Sequence, residues 1–254
     1  MSIDSDVAPP ESKFNAVLTA ASGLPGVRIH REAYLRRALA RYCSDEQVQK
    51  AVNESPAAAG IPSNVIDKAA MDSIKYETAK VTGLSAAAGI PGGFALVGTV
   101  PADFAQNFAH VLRIAQKLAY LYSWPNLFAA DGEEPDDATK GMLTLFVGVM
   151  FGAQAANQGV TAVAGMLAKE ALRKLPQQAL TKGVIYPIVK EVSKKLGAEM
   201  TKLVFAKGMA KVIPIVGAVL NGGVTLATYA PMSLRLKKHL ASLELTKPHA
   251  EPAS

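Results

Sequence analysis

Four residues in the stretch ADFAQNFAHVLRIAQKL carry ionisable side chains suited to acid–base chemistry: Asp103, His110, Arg113 and Lys117. An α-helix advances about 100° per residue, and on that wheel these four, with Gln106 and Asn107, fall within roughly one third of the circumference. Asp103 and His110 are the candidates for acid–base chemistry. They share a face but stand two turns apart, about 10 Å, too far for direct proton transfer, so a second helix has to supply the missing group. The plainer reading is a helix-start carboxylate followed by a hydrated polar seam, and no catalytic residue is assigned. Other chemistry is absent by pattern. Gly83-Leu84-Ser85-Ala86-Ala87 lacks the final glycine of a hydrolase elbow, and Gly92-Gly93 is not followed by Gly-Lys-Ser/Thr. His30, His110, His239 and His249 have no i, i+4 partners, and the carboxylates between Asp131 and Asp137 lack the ligand order and central glycine of a calcium loop. Neither a metal nor a cofactor is expected.

The element that carries the seam is well marked. Pro101 suits a first helical turn, and Asp103 lies near the positive end of the helix dipole. Ala105, Phe108, Leu112, Ala115, Leu118 and Ala119 fill most of the remaining circumference, wider than the stripe of an ordinary surface helix. The pattern predicts a central buried helix near 101–122, enclosed on most sides. Alanine is abundant, aromatics are 6%, and the long segments repeat at helical spacing. The fold class is therefore all-α: a single compact multi-helix domain over 13–245, with disordered tails at 1–12 and 246–254 and no convincing strand.

Three uncharged, glycine-bearing runs punctuate the chain. Val81 to Ala102 is interrupted by prolines and paired glycines and reads as a close-packed bend rather than a membrane span. Gly141 to Ala168 is 28 residues without a charge, but Gln154, Asn157 and Gln158 dilute it. With Gly148, Gly152 and Ala156 at small-residue spacing, it reads as a buried helix or tight helix pair, with a true span as the alternative. The third run is Val212 to Leu234, followed by a basic helix from Arg235 to Leu243. Asn64 with Asp67 signals the start of a helix to about Lys80, whose buried face is Ile66, Ala70 and Ile74.

The net charge of +6 is uneven: residues 1–138 hold 12 Lys/Arg and 16 Asp/Glu, and residues 139–250 hold 15 and 4. The basic second half favours anionic partners, and Lys182, Lys190, Lys194, Lys195, Lys202, Lys207 and Lys211 oppose an apolar face, which reads as a solvated lysine face or as a membrane-surface helix. An earlier basic helix, about His30 to Tyr42, carries Arg31, Arg36, Arg37 and Arg41; it reads as a solvated face or as an anionic-surface contact. Nucleic acid is disfavoured, since neither interleaved aromatics nor a docking motif appears. The lone Cys43 and the acidic, proline-bearing start point to a cytoplasmic protein.

The segments AAGIPGG at 87–93, TVPAD at 99–103 and LRIAQKLAYLYSWP at 112–125, with LFVGVMFG, LTKGVIYPIVKEV, GAEMTKLVFAKGMAKVIPIVGAVLNGGVT and PMSLRLKKHL further on, resemble the EcsC protein family. The family-like positions are Gly89, Pro91, Gly92, Gly93, Pro101, Asp103, Arg113 and Tyr122; Ser123 departs, where such sequences tend to place glycine. The family takes its name from a protein encoded beside an ABC transporter and has no established biochemical activity. The resemblance therefore implies association rather than catalysis: a protein accessory to a membrane system such as a transporter, peripheral on the inner face of the cell membrane, whose partner is an anionic membrane surface or a membrane protein. Two other readings stay open. One is an enzyme or binding protein for an apolar or lipid-like ligand at the Asp103 to Lys117 seam; the other is a soluble helical interaction module.

Overall fold

The computed structural model describes residues 9–87, 96–97, 100–128, 135–169, 174–210 and 223–247. Within them the chain is helical: α1 (Pro10–Ser22), α2 (Arg31–Leu39), α3 (Asp45–Asn53), α4 (Ser63–Ala87), α5 (Ala102–Leu121), α6 (Asp137–Met150), α7 (Gln154–Lys169), α8 (Gln177–Thr181), α9 (Tyr186–Ala210) and α10 (Gly223–Ala241), closed by a 3₁₀ turn (Glu244–Thr246). A two-residue antiparallel pairing, β1 (Leu96–Val97) with β2 (Val100–Pro101), precedes α5. It lies inside the glycine-bearing bend, where no strand is expected, and it ends at the proline that marks the helix start.

Helix α5 is the centre, within a residue of the predicted bounds. Ala105, Leu112, Ile114, Ala115, Leu118, Ala119, Tyr120 and Leu121 are all fully buried, and α1, α2, α4, α6 and α10 pack on it. The wide apolar arc thus has a neighbour for nearly every direction. Its C-terminus turns at Ser123, which adopts φ +68°, a left-handed conformation that glycine adopts without strain. The Ser123 hydroxyl accepts from the Ala57 backbone N–H at 3.0 Å, which ties the turn to the loop before α4. The adjoining Trp124 is fully buried, edge-on to Phe146 with centroids 4.9 Å apart.

The run from Gly141 to Ala168 is the tight helix pair. Its break falls at Gly152, φ +78°, between α6 and α7. Gly148 and Ala156 therefore lie on facing helices rather than on one stripe. A methyl at Gly148 would come within 2.6 Å of the Ala156 Cβ and 2.5 Å of Val192 Cγ1 on α9, so the absence of a side chain sets the approach of three helices. Gly197 of α9 does the same against the Pro10 carbonyl of α1. Among the described residues no helix is long and apolar enough to cross a membrane.

Three expected boundaries shift. Helix α1 opens at Pro10, inside the stretch 1–12 expected as a disordered tail. Helix α4 begins at Ser63 and runs to Ala87, so Asn64 lies inside it, and Asp67 is used elsewhere, accepting from Tyr122 Oη at 2.6 Å and pairing with Lys237 at 2.9 Å. Helix α10 is continuous from Gly223 through Pro231, so the expected basic helix from Arg235 is its last third. The runs at 88–95 and 211–222 lie outside the described residues.

Candidate functional site

The polar seam of α5 is not simply hydrated, as the plainer reading has it: a carboxylate of α4 covers its second half, and Lys117 is buried there. Ile66, Ala70 and Ile74 are buried at i, i+4 and i+8, and the next turn of that face carries Glu77 instead of an apolar residue. Its side chain is 0% exposed and meets three residues of α5: Lys117 Nζ at 2.6 Å, Arg113 Nη2 at 3.2 Å and His110 Nδ1 at 3.4 Å. The seam therefore faces a buried carboxylate.

Burial alone would raise the Glu77 pKa, but hydrogen bonds from His110, Arg113 and Lys117 outweigh it and hold the carboxyl well below the usual range. Lys117 also moves downward. Its largest cause is burial, only partly opposed by Glu77, with the neighbouring Arg113 charge adding to the depression. The two shifts express one imbalance: the carboxylate has three donors, whereas the Lys117 ammonium and the Arg113 guanidinium, 9% and 20% exposed, share one counter-charge. The Lys117 ammonium also lies 5.5 Å from the Tyr34 ring centroid and 5.0 Å from that of Tyr76, contacts that replace part of its lost hydration.

The scaffold around this floor is fixed by hydrogen bonds. Gln116 is fully buried; its Nε2 donates to Val27 O at 3.0 Å, and its Oε1 accepts from Ile29 N at 2.8 Å. Arg113 Nη1 donates to the Gly26 carbonyl, so α5 pins the α1–α2 loop from two turns. Ser73 donates to Ala69 O at 2.9 Å, which leaves Tyr34 Oη as the donor in their 2.7 Å contact, locking α2 to α4. Arg31 is not part of a solvated face. It donates to the carbonyls of Val52, at 2.7 Å, and Glu54, at 3.0 Å, satisfying the end of α3.

Above the floor opens a cleft of about 690 Å³, within the usual range for small-molecule sites. Helix α2 forms one wall with Tyr34 and Arg37, extended by Arg41 in the turn after it; α4 forms the other with Asp72, Tyr76 and Lys80; Arg113 and Lys117 of α5 form the base. His110 and Glu77 lie behind these last two, outside the lining. Asp72 is engaged by Tyr42 Oη at 2.6 Å and by Arg41 at 3.4 Å. On the rim, Lys80 Nζ lies 4.9 Å from the Tyr76 ring centroid. The arrangement can attract and desolvate an anion, and among the described residues it holds no nucleophile–base pair poised for transfer.

Of the other expected site residues, Pro101 ends β2 and Asp103 lies in the first turn of α5, with its side chain outside the described residues. Tyr122 ties α5 to α4 through Asp67. Gly89, Pro91, Gly92, Gly93 and Lys211 lie outside the described residues, as do the side chains of Lys202 and Lys207. Lys182, Lys190, Lys194 and Lys195 are exposed, away from the cleft. Glu77 and the basic cleft were not singled out in the sequence. The signal was a carboxylate standing where an apolar helix face should continue.

Fold and site together define an all-helical protein with a basic cleft over a buried ion cluster. No protein-family model matches the chain, and neither the curated proteins nor the solved structures contain a match.

Proposed function

We propose that the protein is a helical binding module that holds an anionic ligand, bearing phosphate or a chemically similar group, in the cleft between α2, α4 and α5. The observation behind this reading is the charge imbalance at the base, where Lys117 and Arg113 share the single carboxylate of Glu77 and open onto a cavity of ligand size. An anion there would supply the second counter-charge and replace the hydration lost by Lys117. The charged lining favours such a ligand over an apolar one. Set beside the EcsC-like segments, the ligand would be a lipid headgroup, the protein peripheral on the inner membrane face and accessory to a membrane system; a soluble phosphate compound is the other source of the same chemistry.

A second contact with an anionic surface is supported by the turn between α8 and α9. Val184 and Tyr186 are 71% and 40% exposed there, between Lys182 and Lys190, and Lys190 Nζ lies 5.6 Å from the Tyr186 ring centroid. Lys194 follows one turn further on, with Glu191 the acidic residue among them. Shallow insertion of the two apolar side chains, with lysines on headgroups at about 1 kcal/mol each, suits this surface.

The test is thermal unfolding in sodium phosphate against sodium chloride at equal ionic strength. Stabilisation specific to phosphate, lost in Lys117→Met, supports cleft binding. Equal melting temperatures in the two salts would refute it.

A further inference from the structure

We infer that the ligand of this cleft is multiply phosphorylated, held by two tiers of cations, so that one phosphate occupies the base and at least one more lies between the rims. The inference rests on the anion-binding reading above and names its ligand class. The base tier is Arg113 and Lys117, fixed against Glu77. The rim tier comes from both walls: Arg37 stands on α2 and Arg41 in the turn that follows it, and Lys80 lines the opposite wall from α4. Tyr76 sits between the tiers, with Lys117 5.0 Å and Lys80 4.9 Å from its ring centroid.

Charge balance sets the number of phosphates. Those five cations lie against two carboxylates, Asp72 and the buried Glu77, a surplus of three without counting Arg28 and His30 in the loop. A carboxylate brings one negative charge and a phosphate monoester about −1.5 to −2 near neutral pH, so a single group leaves the surplus uncancelled and two phosphates match it. Size agrees, because about 690 Å³ is ample for an organic polyphosphate and far more than one phosphate fills. Position agrees as well. Lys117 is nearly buried whereas the Arg41 side chain is 70% exposed, so the two tiers differ in depth and one compact anion does not neutralise both.

The test is calorimetric titration of the full chain with orthophosphate and with tripolyphosphate at fixed ionic strength, in wild type and in Arg37→Gln/Lys80→Gln. The expected result is a preference for tripolyphosphate of roughly tenfold or more in wild type. In the rim variant that preference falls to about threefold or less while the orthophosphate affinity stays within about threefold. Equal affinity for the two anions in wild type, or equal weakening of both in the rim variant, would overturn the two-tier site and leave simple anion binding standing. Binding of neither anion would remove both. Vesicles carrying a bisphosphorylated inositol lipid, compared with phosphatidylserine vesicles of equal charge, then assign the source: selective capture indicates a headgroup, and tripolyphosphate binding without capture a soluble compound.

Discussion

Replacing Glu77 with glutamine keeps the shape of the buried cluster and removes the only negative charge it has among the described residues. Lys117 and Arg113, 9% and 20% exposed, are then left facing each other with only an amide between them. Breaking one side of a buried ion pair costs about 3–5 kcal/mol, and the partial exposure of Arg113 places this case toward the lower end, about 3 kcal/mol. For a chain of this length that is a fall in melting temperature on the order of 10 °C. The pH dependence has a definite sign. The folded-state pKa of Glu77 is held below the ordinary 4.5 of the unfolded chain, so the stabilisation is complete above about pH 5 and is lost as pH falls through the carboxylate range. Urea denaturation of both proteins at pH 7 and at steps down to pH 3 reads this directly: the gap between wild type and Glu77→Gln is widest at neutral pH and narrows on acidification. Adding Lys117→Met to Glu77→Gln recovers part of the loss, since the uncompensated ammonium goes with it. A Glu77→Gln protein within about 1 kcal/mol of wild type at pH 7, or a gap that does not change with pH, would refute the buried-cluster reasoning.

Ser123→Ala keeps the left-handed strain and loses the bond to Ala57, so chemical denaturation should show a loss of about 1–2 kcal/mol, whereas Ser123→Gly relieves the strain as it loses the bond and should fall within about 1 kcal/mol of wild type. Gly148→Ala forces a methyl against Val192 and Ala156, and a loss of about 1–3 kcal/mol is expected by the same assay. Co-sedimentation with anionic vesicles should weaken with salt and with Lys182→Glu/Lys190→Glu/Lys194→Glu, and weaken further with Val184→Ser; binding indifferent to both salt and these changes would remove the α8–α9 surface from the account.

Much of the architecture could be read from the chain. The position and enclosure of α5 follow from its wide apolar arc, and the Gly141 to Ala168 pair follows from an uncharged run too polar for lipid and broken by glycine. The seam was visible as a stripe, though its plainer reading was a hydrated one. What stayed hidden was which residue answers it. Glu77 lies 33 positions from His110 in sequence, and only packing of α4 on α5 turns an ordinary-looking helix charge into a buried counter-ion. Charge counting by halves also pointed away from the cleft. The first half is net acidic because carboxylates such as Asp131 to Asp137 are included in the count, yet Arg37, Arg41, Lys80, Arg113 and Lys117 converge from three helices and the turn after α2. Summed charge records composition, whereas a binding site depends on which side chains the fold gathers. Arg31 shows the converse, a member of the basic helix turned inward to finish α3.

The central claim is that an anion occupies the space above Lys117, and locating one is the most direct test. Crystals soaked in tungstate, a heavy tetrahedral stand-in for phosphate, give anomalous density at each bound ion. The account predicts a strong peak between α2, α4 and α5 within about 4 Å of Lys117 Nζ, absent from Lys117→Met crystals. Peaks confined to the exposed lysines of α9, with the cleft empty, would contradict it.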